Sequence, residues 1–121
     1  MKQEENIYRS SLDVGSLRQI VRAACGNATI SPVQFDALDD PSDLAVLVEK
    51  NGLIGGSSAI QVHVNDEGDH RLLAIIALGD SGFARAWGGA RNTVSFGGSK
   101  KLAATLADAV RQHDAALLQI G

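Results

Sequence analysis

The sequence predicts an α+β domain: an antiparallel sheet of about five strands, with one short N-terminal helix and a long C-terminal helix packed on one face. Three observations predict it. Between residues 57 and 80, two apolar runs flank the polar turn Asn65–Asp69, the pattern of a hairpin. Near the start, Val14, Leu17, Ile20, Val21 and Ala24 recur at helical spacing. Near the end, Leu102, Leu106, Ala109, Val110, His113 and Leu117 recur in the same way over a longer span that begins at Ser99. Short, turn-rich connections favour antiparallel pairing over parallel crossovers.

Taken in order, residues 1–6 read as a polar, flexible tail and residues 7–121 as a single domain, consistent with a chain of 121 residues. Ile7–Leu12 forms a short strand. Asp13 caps the first helix, which stops at Gly26-Asn27. Over Ala28–Leu38, Thr29, Ile30, Val33 and Phe35 favour a strand, but Pro32 forbids a full ladder, so an edge strand or extended connection is expected. An acidic bend over residues 36–43 follows. Leu44–Lys50 is a strand that ends at Asn51-Gly52, a strong two-residue hairpin signal.

The central hairpin comes next. Ile60, Val62 and Val64 alternate with Ala59, Gln61 and His63, the signature of a strand covered on one face. Leu72–Leu78 has no polar residue on either parity, so both of its faces call for cover. Six of the chain's 13 glycines then fall within Gly79–Gly98, where Ala90–Phe96 can form one more strand. Ser99 is expected to cap a final helix of about 18 residues. The stretch after it, Ala115–Ile120, is more apolar than a free terminus should be, and is expected to dock on this chain or on a neighbour. The order of elements is similar to that of two-layer sandwich domains such as the helix-grip fold, an analogy that carries no function.

Composition narrows the function classes. With 45% hydrophobic and 21% charged residues, the chain is neither disordered nor membrane-spanning. The start, MKQEENIYRSSL, lacks the apolar stretch of a signal peptide. The single cysteine, Cys25, fits a reducing cytoplasm. A net charge of −3 argues against wholesale coating of nucleic acid.

No arrangement of side chains selects a reaction. Gly79-Asp80-Ser81-Gly82 matches the core around the nucleophile of chymotrypsin-like proteases over four residues only. Those enzymes resemble two barrels of nearly twice this length, and both upstream histidines, His63 and His70, lie on the central hairpin, so the four residues read as a turn. With the loop at Asp66–Asp69, Asn65 opposes His70, and the two histidines become diagonal neighbours about 7–8 Å apart, a spacing that nearby carboxylates could turn into a metal site. Loops of other lengths separate them, and no metal or cofactor is expected. Cys25 ends a helix, where the dipole has the wrong sign for a thiolate, so it reads as a buried structural residue.

One contrast stands out. Residues 83–101 carry Arg85, Arg91, Lys100 and Lys101 with no acidic residue, beside Phe83, Trp87 and Phe96, whereas residues 36–49 carry Asp36, Asp39, Asp40, Asp43 and Glu49 with no cation. Arg85, Trp87, Arg91, Ser99, Lys100 and Lys101 are therefore the candidate ligand- or anion-binding residues, placed where a helix start attracts negative charge. No Walker pattern is present, and four cations are too few for sequence-specific nucleic-acid binding.

The expected role is thus a small cytoplasmic, non-enzymatic binding or interaction domain. It is expected to be a homodimer through the second sheet face or the C-terminal segment. The alternative is a binder of a small anionic or apolar ligand in a cavity between sheet and C-terminal helix, or an acidic protein partner at the basic flank. An enzyme of unknown class ranks below both.

Overall fold

The computed structural model describes residues 3–26, 28–32, 44–51, 57–79 and 95–121. Among these residues lie eight elements: β1 (Gln3–Ser10), α1 (Val14–Ala24), β2 (Thr29–Pro32), β3 (Leu44–Asn51), β4 (Ser57–Asp66), β5 (Arg71–Leu78), α2 (Phe96–His113) and β6 (Leu118–Gln119). The strands form one six-stranded antiparallel sheet in the order β2-β3-β4-β5-β1-β6. The predicted α+β class and the long C-terminal helix are both present.

Alternation along the strands builds the core. Leu44, Val64, Leu73 and Tyr8 stand opposite one another across β3, β4, β5 and β1, as do Val46, Val62 and Ile75, and then Val48, Ile60 and Ala77. Directly opposed residues share a face. These rows pack against Leu17, Ile20 and Val21 of α1 and Leu102, Ala103, Leu106, Ala107 and Val110 of α2 in one cluster. Ile60, Val62, Val64, Leu73, Leu17, Leu106 and Val110 are wholly buried, each contributing about 1.5–3 kcal/mol relative to exposure. Both helices therefore lie on one side of the sheet. Neither of them is long and apolar enough to cross a membrane.

Several local expectations change. The strand predicted over Ile7–Leu12 starts earlier, because Gln3–Asn6 continues the ladder along β5 and leaves little of the tail free. Asn51 is the last residue of β3 and faces Ser57 rather than forming a turn. A tight turn at Asn51-Gly52 would set Val48 against Gly55, whereas the observed register sets it against Ile60. The turn of the central hairpin is also displaced: Asn65 and Asp66 remain in strand, pairing with Leu72 and Arg71. Gly68, at φ +96, supplies the positive φ that a tight turn needs, and Glu67 N donates to His70 O. Among the described residues strand β2 stands at the edge of the sheet, one of the two placements that Pro32 allowed.

The last helix begins earlier than Ser99. Ser95 caps it, its Oγ accepting from Gly98 N at 3.1 Å. Phe96 is consequently helical and Ser95 its cap, and residues 90–94 of the strand expected over Ala90–Phe96 lie outside the described residues. His113 is exposed, and Ala103 and Ala107 complete the buried stripe instead.

At its far end α2 is fastened by a buried carboxylate. Asp114 accepts from Ser10 Oγ (2.8 Å), Ser11 N (2.9 Å), Ser11 Oγ (2.8 Å) and Ala116 N (3.1 Å). On the other side of the same corner, Arg71 donates to Leu12 O and Ser11 O, and it also pairs with Asp66. Past Asp114 the chain turns and lays β6 beside β1, so the apolar terminus docks on its own chain.

Burial pushes the Asp114 carboxyl up, but the hydrogen bonds from Ser10, Ser11 and Ala116 outweigh it and hold its pKa below the ordinary value. A depressed folded-state pKa stabilises the fold above the unfolded value and loses that contribution as pH falls through the folded one. Asp114→Ala is expected to cost on the order of 3 kcal/mol at neutral pH. The stability gap between wild type and Asp114→Asn is expected to narrow below about pH 4, measured by urea midpoints across pH. A gap that does not change with pH would rule out the charged carboxylate as the source.

Candidate functional site

Two regions of the fold gather side chains that the core does not use. The first is the sheet face turned away from the helices. Register places Ile120, Ile7, Ala74, His63 and Ala45 in one row across it; Leu118, Arg9, Leu72 and Asn65 form the row on one side, and Glu5, Ile76, Gln61 and Leu47 the row on the other. Burial is graded along this face. Leu47, Ala59 and Leu78 are buried together, Ala45 and Ile76 pack half-buried against them, and Ile7, Leu72 and Ala74 are half-buried. At the far edge Leu118 is 58% exposed and Ile120 53%.

The edge geometry explains why those two residues face outward. Ile120 N and Gly121 N both donate to Ile7 O, while Ile7 N donates to Gly121 O. Two residues thus oppose one, a bulge that ends the strand and keeps Ile120 beside Ile7. Parity then sets Leu118 on the same face, opposite Arg9.

The second region is a cleft of about 270 Å³ between the sheet and the start of α2, lined by Ala24, Lys50, Ser58, Gly98, Lys101, Leu102 and Thr105. Lys50 and Ser58 are paired across β3 and β4, which brings them to the helix that carries Lys101. A Cβ on Gly98 would run into Ser58 Oγ, so glycine lets the helix start approach β4 closely. Two ammonium groups beside hydroxyls suit a small anion.

The six residues singled out from the sequence separate here. Lys101 lines the cleft. Lys100 instead lies with its Nζ 5.0 Å from the centre of the Phe96 ring, a cation–π contact. Ser99 is fully buried, and its Oγ accepts from the backbone N of Ala59 at 2.9 Å, joining α2 to the sheet. Arg85, Trp87 and Arg91 lie outside the described residues. Lys50 and Ser58 escaped sequence reasoning, because only the strand register and the helix crossing bring positions 50, 58 and 101 together.

The histidines do not come together. His63 pairs with Ala74, four positions beyond His70, or about 13 Å along the strand. His63 Nε2 meets Gln61 Oε1, and His70 Nδ1 meets Asp69, whose carboxyl is held below its ordinary pKa by that contact. Among the described residues no three His, Cys, Asp or Glu side chains form a metal-binding group. Cys25 is 3% exposed, and burial pushes its thiol up, away from the reactive thiolate. A further groove of about 530 Å³ between α1 and α2, lined by Ile20, Gln112 and His113 among others, brings no charged pair to bear.

Ser99→Ala is expected to destabilise the fold by about 1–3 kcal/mol, because it leaves the buried N–H of Ala59 without an acceptor. Urea unfolding measures this, and an unchanged midpoint would free Ser99 from its structural assignment. No protein-family model, curated protein or solved structure matches the chain.

Proposed function

We propose that this chain is a small cytoplasmic, non-enzymatic interaction domain that works as a homodimer, paired through the second face of its sheet together with the C-terminal segment. One observation carries the reading. Leu118 and Ile120, the exposed large hydrophobic side chains among the described residues, lie on one sheet face beside half-buried Ile7, Leu72, Ala74 and Ile76. Each Å² of such surface removed from water contributes about 25 cal/mol, and contiguous apolar surface on a soluble chain marks an interaction site. The single, buried Cys25 accords with a reducing compartment. Sedimentation velocity at micromolar concentration is expected to show a dimer, and Ile120→Asp to shift it to monomer with an unchanged circular dichroism spectrum. A wild-type chain that sediments as a monomer would overturn the reading.

The Lys50–Lys101 cleft favours a second reading, in which a small anion binds between sheet and C-terminal helix. Millimolar inorganic phosphate is then expected to raise the melting temperature of wild type but not of the Lys50→Ala/Lys101→Ala variant. Equal shifts, or none, would remove this reading.

A further inference from the structure

The charge pattern on β1 selects how two copies would meet. On the sheet face away from the helices, β1 presents Glu5, Ile7 and Arg9 in succession, with the two charged side chains exposed and Ile7 half-buried between them. Glu5 and Arg9 are about 13 Å apart along the strand, too far to neutralise each other. Neither takes part in an ion pair among the described residues.

Two sheets that pack face to face keep their strands within about 30° of alignment. A two-fold axis lying between them can then run along the strands or across them. An axis along β1 stacks Glu5 on the partner's Glu5 and Arg9 on the partner's Arg9, setting like charges together. An axis across β1 at Ile7 reverses the strand direction and sets Glu5 against the partner's Arg9, twice by symmetry.

We infer that the occupant of the β5-β1-β6 part of this face, beyond the buried Leu47, Ala59 and Leu78, is a second copy of the chain, related by a two-fold axis that crosses β1 at Ile7. This rests on the homodimer reading above and specifies its register. The side chains around the axis agree with it. Ile7, Ala74, His63 and Ile120 share the axial row, so each meets its own copy across the axis. Leu72 and Ile76 lie two positions to either side of Ala74, so each Leu72 faces the partner's Ile76. Leu118, beside Arg9, extends the apolar contact toward the rim.

The register is tested by charge reversal in the full-length chain. On this face of β1, Glu5→Arg leaves two cations and Arg9→Glu leaves two anions. Each variant alone is expected to self-associate at least about tenfold more weakly than wild type, because both symmetric contacts become like-charged. An equimolar mixture of the two is expected to form a mixed dimer as readily as wild type, since every contact is again between opposite charges. Sedimentation of the separate and mixed samples, with one variant fluorescently labelled, reads this directly, and circular dichroism confirms that each variant is folded. Single variants that dimerise like wild type, or a mixture that stays monomeric, would overturn the register while leaving the dimer standing. A monomeric wild type in the same runs would instead remove the dimer itself. Because Arg9 also lies near Asp69 of its own chain, and because the mixture pairs opposite charges about either axis, loss in both single variants together with recovery in the mixture is the decisive readout.

Discussion

The carboxylate of Asp114 decides where the chain can leave its last helix, and much of the architecture follows from that. Buried charge is tolerated only with full hydrogen-bonding compensation. Here the compensation comes from a corner more than a hundred residues earlier, where Ser10 and Ser11 both turn toward it. Arg71 holds the same corner from the β5 side through the carbonyls of Ser11 and Leu12. The end of α2, the passage from β1 to α1 and the start of β5 are thereby fixed to one another. Beyond this point the terminus has a single short route, along β1, and that route sets Leu118 and Ile120 on the face opposite the helices.

The two faces of the sheet follow different rules. On the helix side, pairing rows of Leu, Val and Ile meet two amphipathic helices, and burial is complete at most positions. On the other side, residues of the same strands grade from the buried trio Leu47, Ala59 and Leu78 to the exposed edge. The doubly apolar character of Leu72–Leu78 divides accordingly. Leu73, Ile75 and Ala77 serve the core, while Leu72, Ala74 and Ile76 serve the second face.

What was legible in the sequence was whatever a period longer than a few residues could encode. The alternation over residues 59–64 and the helical stripe from Leu102 to Val110 gave the hairpin and the last helix directly. Boundaries fared worse for identifiable reasons. Gly97-Gly98 looks like a poor helix start, since each glycine costs about 1 kcal/mol relative to alanine in a helix interior, yet the first turn tolerates both once Ser95 caps it. Ser99 then serves the sheet instead. Asn65 and Asp66 resemble turn formers but extend the ladder, which moved the hairpin register by two residues and parted the histidines. Strand β6, at two residues, is too short for any period to announce. The cleft at Lys50 and Lys101 depends on strand register and helix crossing together, and no local pattern records either.

The borders of the sheet have a consequence for the chain in a crowded solution. Among the described residues, one border is β2, four residues long and ending in proline, and the other is β6, two residues long and bent against Ile7. Neither offers the long, flat row of unpaired amides on which further strands could be recruited. Strands β4 and β5, with the apolar content that amyloid-forming segments share, are each paired on both sides. The fold thus keeps its most aggregation-prone sequence in the interior of the sheet, with poor templates for growth at its margins.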